Sequence, residues 1–203
     1  MIEAHRFSDI GKGLEGQVLD YLQARGQGAT FPHLVAVAEE SAKWARFFDL
    51  DEAAAYQAGL LHDISVVIPD EERLAFHEAH HLEILKAERH LPMLLHQQQS
   101  AILAKEVFQV TDPAILSAIS CHTTLKAGAT SLDHCLFLAD KIKWDRGTIP
   151  PYCDDLTDLL ERKELLQASL LYLEWLFNND IQVIHPWALE ALKELRSQLT
   201  VNL

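Results

Sequence analysis

Apolar residues recur along this chain at spacings of three and four, which predicts helices, and no alternating run is long enough for a sheet. Leu34, Val35, Ala38, Ala42, Ala45 and Phe48 form one such series. It follows Thr30-Phe31-Pro32, where a hydroxyl residue is expected to cap the helix and the proline suits its first turn. A second series, Glu52–Leu61, carries Ala53, Ala54, Ala55 and Ala58, small enough for a neighbouring helix to come close, with Asp49 or Asp51 as its cap. Further helices are predicted over 70–89, from His96 to about Val107, over 114–120 behind Thr111-Asp112-Pro113, over 132–143 with Ser131 as cap, over 156–177 with an interruption near Arg162, and over 187–199. The β-branched Val66, Val67 and Ile68 before Pro69 read as a loop, as do 126–130 and 144–152. Residues 1–28 hold Gly11, Gly13, Gly16, Gly26 and Gly28 around one short amphipathic piece and read as an N-terminal extension to a domain over 29–203. The fold class is all-α.

Composition narrows the function classes. A chain of 203 residues that is 49% hydrophobic can bury one substantial core. Its 17 basic and 30 acidic residues leave a formal charge of -13, a field that repels nucleic acid and anionic membranes. No apolar stretch approaches the roughly 18 residues of a membrane span, and the N-terminus lacks a basic stretch followed by an apolar run. Cys121, Cys135 and Cys153 are odd in number, widely spaced and outside any CxxC pair, which suits a reducing interior. A cytoplasmic protein with no nucleic-acid or membrane partner is expected. A small anionic substrate remains compatible with the charge, because a bound cation can outweigh the surface field at short range.

The candidate chemistry lies where helices end. His62-Asp63 closes the run Ala58-Gly59-Leu60-Leu61, and at a helix C-terminus an adjacent imidazole and carboxylate can both reach one divalent cation. His33, His96, His122 and Asp140 also fall at predicted helix ends or beside loops, where residues distant in sequence converge at one end of a bundle. A single histidine on an apolar face is more often a packing residue; the set as a whole is the signal. A rival is His77-Glu78-Ala79-His80-His81, which satisfies the H-E-x-x-H pattern of zinc proteases. Its longer form would need glycine at Ile84 and histidine at Ala87, and fails.

The order of an isolated His, His-Asp after a small apolar helix, a later His and a late Asp resembles the HD-domain superfamily of metal-dependent phosphohydrolases. Leu60-Leu61-His62-Asp63, Leu94-Leu95-His96, Cys121-His122-Thr123-Thr124, Phe137-Leu138-Ala139-Asp140-Lys141-Ile142 and Ile184-His185-Pro186-Trp187 look like successive blocks of the YqeK-type symmetrical diadenosine tetraphosphate hydrolases. The resemblance implies an HD-domain-like helical bundle, a homodimer, and a nucleotide or dinucleoside polyphosphate substrate. It also implies that His33, His62, Asp63 and Asp140 hold a ferrous ion or another first-row metal such as manganese, zinc or cobalt. His96 and His122 would face the phosphates or a second metal, Arg146 would lie near the substrate, and Ile184 and His185 would border the nucleoside. Thr30 stands at another substrate position, where the family commonly has Arg, and Gln97-Gln98 stand where it commonly has Gly-Pro.

In that scheme the metal lowers the pKa of bound water and neutralises phosphoryl charge. Asp63 adds an oxygen ligand or orients the water, and His122 and Arg146 stabilise the transferring phosphate. Lys141 and Lys143 read as solvent-facing helix charges, with the alternative that Lys141, beside Asp140, reaches phosphate. Besides diadenosine tetraphosphate cleavage to two ADP, the alternatives are a nucleotidase or pyrophosphohydrolase of other specificity, a nucleotide sensor without turnover, and the zinc protease.

Overall fold

A computed structural model describes residues 13–144, 147–179 and 181–200, and among them it contains α-helices, short 3-10 turns and no strand. The helices are α1 (Leu14–Gln23), α2 (Phe31–Phe47), α3 (Glu52–Leu61), α4 (Asp70–Ala79), α5 (Lys86–His90), α6 (His96–Glu106), α7 (Pro113–Cys121), α8 (Ser131–Ile142), α9 (Cys153–Glu161), α10 (Leu165–Asn178) and α11 (Pro186–Thr200). The all-α reading therefore holds.

Local chemistry sets the helix starts. Asp51 caps α3 by accepting from Ala54 N at 2.9 Å, and Asp112 does the same for α7 through Ala114 N at 2.8 Å. Two expected caps differ. Thr30 precedes α2 without a side-chain bond, because it is the last residue of a 3-10 turn, Gly28–Thr30, and already has helical dihedrals. At α8 the cap is Thr130 rather than Ser131: Thr130 Oγ1 accepts from Asp133 N, and Asp133 returns a carboxylate to Thr130 N at 2.8 Å. The segment expected as a loop at 64–69 tightens into a 3-10 turn over Ile64–Val67.

The stretch 70–89 is not one helix. α4 stops at Ala79, His81 takes a left-handed conformation with φ of 55°, and helix resumes only at Lys86. The break near Arg162 separates α9 from α10, with Lys163 left-handed at φ of 61°.

Helices α2 and α3 form the closest pairing. A Cβ at Gly59 would lie 2.5 Å from Ala38 Cα and 2.8 Å from Ala38 N, so the two backbones touch where Gly59 has no side chain. Around this contact lies one apolar core, built from Leu34, Val37, Leu60, Leu61, Ile119 and Leu136 among others. α1 joins it through Val18, Tyr21 and Leu22, all fully buried; residues 1–12 of the expected extension lie outside the described residues. A second core gathers Phe137, Leu138, Tyr152, Leu156, Tyr172, Leu173 and Leu192 from α8 to α11. Helix α8 divides its faces between the two, with Leu132, Leu136 and Ala139 in the first and Cys135, Phe137 and Leu138 in the second. Its C-terminal end therefore lies at the seam between the cores, and that end carries Asp140.

Candidate metal centre

Five helix ends deliver the predicted side chains. His33 sits in the first turn of α2, His62 directly follows α3, His122 directly follows α7, and His96 opens α6. Asp63 follows His62, and Asp140 comes from the last turns of α8. Once a helix ends, its last carbonyls lack intrahelical partners. The His62 Nδ1–H donates to Gly59 O at 2.6 Å and the His122 Nδ1–H to Ile119 O at 2.8 Å. His96 makes the same bond to Met93 O at 2.6 Å, from the 3-10 turn over Pro92–Leu95. A carbonyl can only accept, so each ring carries its proton on Nδ1 and presents the Nε2 lone pair inward.

Those lone pairs converge on two carboxylates. His62 Nε2 lies 3.6 Å from Asp63 Oδ2 and 3.6 Å from Asp140 Oδ1, and His33 Nε2 lies 3.7 Å from Asp140 Oδ1. His96 and His122 each place Nε2 3.4 Å from Asp63 Oδ1, and 3.1 Å from one another. Ligand atoms of His33, His62 and Asp140 fall mutually within 4.8 Å, as do those of His62, Asp63 and His122. His62 is fully buried and its Nε2 has no hydrogen-bond partner. An orphaned acceptor beside two carboxylates is unfavourable unless a cation occupies the space between them. The donor set, nitrogen and oxygen only, suits a divalent first-row metal.

The electrostatics follow from this crowding. Burial raises the Asp63 carboxyl, but His62, His96 and His122 outweigh it and hold the group far below the usual carboxylate range. Burial likewise opposes ionisation of Asp140, and Lys141 with His62 and His122 overcomes it, so its pKa also falls well below that range. Burial would lower the His62 imidazole, yet Asp63 and Asp140 together raise it. For His96 burial prevails over Asp63 and the pKa falls to about 4, leaving the ring neutral at pH 7.

The centre opens into a cavity of about 460 Å³. His33, Asp63, Asp140, Lys141 and Thr123 line it beside the acidic cluster, while Tyr172, Trp175 and Leu176 supply an aromatic and apolar wall. Its volume and mixed lining are those of a small-molecule site. Lys141 is buried rather than solvent-facing: its Nζ lies 2.6 Å from Asp140 Oδ2 and 5.4 Å from the Phe137 ring centroid, and its pKa is raised because Asp140 and Tyr172 outweigh desolvation. Lys143 does face outward and pairs with Glu40 at 3.1 Å.

The remaining predicted site residues divide. His185 lines the cavity, but its Nδ1 accepts from Trp187 N at 3.2 Å and its Nε2–H faces Glu88 Oε1 at 3.3 Å, so both nitrogens are committed inside the protein. Ile184 is half exposed and, like Thr30, does not line the cavity. Arg146 lies outside the described residues. The protease motif does not assemble. His77 is buried within α4, whereas His81 lies beyond the end of that helix in a left-handed turn and is exposed, so the two rings do not stand one turn apart on a single helix.

Sequence reasoning passed over the aromatic wall and Thr123, whose hydroxyl lies 2.9 Å from His96 Nε2, and ranked the solvent-facing reading of Lys141 above the one in which it reaches phosphate. The signal for Lys141 was its helical spacing from Phe137, which faces the same way.

A family model described as the HD domain matches residues 30–145. A protein of Lactococcus lactis subsp. cremoris, described as an uncharacterized protein in pepC 5'region, is 44% identical over 151 residues, covering 74% of this chain and 77% of its own. The symmetrical bis(5'-nucleosyl)-tetraphosphatase of Bacillus subtilis (strain 168) is 31% identical over 140 residues, covering 68% and 72%. A crystal structure from Clostridium acetobutylicum, described as a predicted HD superfamily hydrolase involved in NAD metabolism, superposes with a TM-score of 0.82 over 93% of this chain and 100% of its own. At 24% identity that likeness speaks for the fold alone.

Proposed function

We propose, from the premise that the chain belongs to the HD domain family of hydrolases, that it cleaves nucleoside polyphosphates, with diadenosine tetraphosphate split symmetrically into two ADP as the preferred reaction. The observation that carries the reading is the orphaned His62 Nε2, buried behind Asp63 and Asp140, the two carboxylates that line a cavity running on to aromatic rings. The named activity of the Bacillus subtilis relative supports the dinucleotide substrate.

His33, His62, Asp63 and Asp140 are the residues that would hold a divalent ion, with iron the first candidate and manganese, zinc or cobalt the others. Such an ion, when bound, supplies positive charge for the phosphoryl oxygens and makes a water acidic enough to attack at neutral pH. The protein supplies the rest. Asp63 stays ionised and offers Oδ1 as acceptor for the attacking water, 3.4 Å from His96 and His122. Lys141 faces the phosphate, its Nζ a fixed positive charge on the cavity wall beside Asp140 that offsets the charge developing on the phosphoryl group, while His122 acts from behind Asp63, with Nε2 3.4 Å from Oδ1. Tyr172, Trp175 and Leu176 offer flat apolar surface for a nucleobase. Arg146 has its proposed phosphate role from the family pattern alone.

The test is a metal analysis of the purified protein followed by assays of mono- and dinucleoside polyphosphates with ferrous and manganous ions. Two ADP per diadenosine tetraphosphate is the expected result. Products AMP and ATP would replace the symmetrical cut with an asymmetrical one, and nucleotide binding without turnover under any metal would make the chain a sensor.

A further inference from the structure

α7 ends at Cys121, and the chain then makes a turn through His122, Thr123 and Thr124 to Leu125. Leu125 is fully buried and held left-handed at φ of 57°, a conformation that costs a bulky residue on the order of 1–3 kcal/mol. Its N–H returns to Cys121 O at 2.7 Å. The N–H groups of Thr123 and Thr124 have no helical carbonyl to reach. Both donate to one atom from another helix, Gln97 Oε1 of α6, each at 3.2 Å. Gln97 Nε2 in turn donates to Thr124 Oγ1 at 3.0 Å, and that hydroxyl donates to Leu125 O at 2.8 Å. Gln97 is fully buried, and this network engages both the oxygen and the nitrogen of its amide.

The turn so held carries two groups of the centre. His122 points Nε2 at Asp63, and Thr123 Oγ1 sits 2.9 Å from His96 Nε2; because the proton of His96 is on Nδ1, the hydroxyl is the donor. His96 is the residue before Gln97, so one helical start supplies both a site imidazole and the amide that fixes the facing turn.

We infer that Gln97 is a positioning residue: its side-chain amide locks the 122–125 turn and thereby sets His122 and the Thr123 hydroxyl against Asp63 and His96. The inference rests on the reading of His122 as part of the catalytic centre. Groups that orient the residues of a metal site commonly cost about 10–100-fold in affinity or activity when removed.

The test compares Gln97→Met, which keeps shape and loses every bond, with Gln97→Glu, which keeps the acceptor for the two backbone N–H groups and replaces the donor to Thr124 with a second carboxylate oxygen that the Thr124 hydroxyl can turn to. Hydrogen exchange of the 122–125 amides, Mn²⁺ affinity by calorimetric titration, kcat and KM are read for each, beside His122→Ala. Gln97→Met is expected to speed exchange in 122–125 without speeding it in α2 or α3, and to lower kcat about 10–100-fold with KM within about threefold. Gln97→Glu is expected to keep exchange near wild type and kcat within about threefold. Should Gln97→Met fail to fold, Gln97→Glu decides alone, and a kcat loss beyond tenfold despite a protected turn overturns the inference. So does fast exchange with unchanged kcat and Mn²⁺ affinity in Gln97→Met. Full activity in His122→Ala would instead defeat the catalytic reading of His122, and is thereby told apart.

Discussion

At Asp140 and Lys141, neighbours in sequence, one carboxylate oxygen faces His33 and His62 while the other is held by the lysine at 2.6 Å. Among the described residues Lys141 is the only lysine or arginine that lines the cavity, so its charge is placed to meet an anionic ligand. Lys141→Met, which keeps the length and removes the charge, is expected to lower kcat/KM for a nucleoside polyphosphate by about 10–100-fold, the worth of about 1.4–2.7 kcal/mol of charge-assisted hydrogen bonding. Retained metal content, measured by elemental analysis, would show that the loss lies with phosphate. The ligand set predicts a different pattern. His62→Ala and Asp63→Ala are each expected to abolish hydrolysis and metal retention, and His81→Ala to do neither, because His81 lies on an exposed turn beyond α4. His62, Asp63, His122 and Asp140 were legible because apolar runs end on them. Lys141 was legible only as the less favoured alternative, since a lysine one residue past such a run is normally solvated, and the Phe137 and Tyr172 rings beside its Nζ decide for burial.

Elements were read best where capping chemistry is local. Asp51 and Asp112 announce α3 and α7, and the bonds they make are those the sequence calls for. The break between α4 and α5 was hidden because no glycine marks it: His81 takes the left-handed turn that glycine usually fills. The α2–α3 contact was visible as a run of alanines, but not the role of Gly59, which is set by a helix elsewhere in the chain. In an exposed helix Gly→Ala would add up to about 1 kcal/mol of stability. Here the new methyl would fall 2.5–3.1 Å from three backbone atoms of Val37 and Ala38, and overpacking of this kind costs about 1–3 kcal/mol. The clash outweighs the propensity gain, since backbone cannot swing aside as a side chain can. Gly59→Ala is therefore expected to lower Tm by several degrees, at about 2–4 °C per kcal/mol for a chain of this size. It should also weaken metal binding, because His33 lies on α2, while His62 follows α3 and hydrogen-bonds to Gly59 O itself. Thermal melts with and without metal would separate the two effects; a variant as stable as wild type would show that the helices slide apart freely.

For the molecule as a whole, the centre draws on residues from 33 to 140 and sits at the seam of two cores, so acid acts on fold and site together. Asp63 and Asp140 have depressed pKa values and contribute stability above the ordinary carboxylate range that is lost as pH falls below it. A separate loss should set in earlier, away from the centre. His134 is buried in α8 with its Nδ1 2.8 Å from Ser169 Oγ, and burial pushes its pKa down to about 4. Unfolding returns it to the normal value near 6.5, so between about pH 6.5 and 4 the unfolded chain binds the extra proton and the folded state loses stability as pH falls. A displacement of that size amounts to roughly 3 kcal/mol at the acid end of the window. Burial also lowers His77 and His96, so the wild-type slope is a sum, and one variant isolates the His134 share. His134→Gln can still hydrogen-bond Ser169 and has no proton to gain. The difference in Tm between wild type and His134→Gln, with metal stripped from both, is expected to shift in favour of the variant as pH is lowered from 7.5 to 4.5. A difference that stays constant across this range would mean that His134 takes up its proton equally in the folded and the unfolded chain, and that the acid loss comes from His77, His96 and the carboxylates.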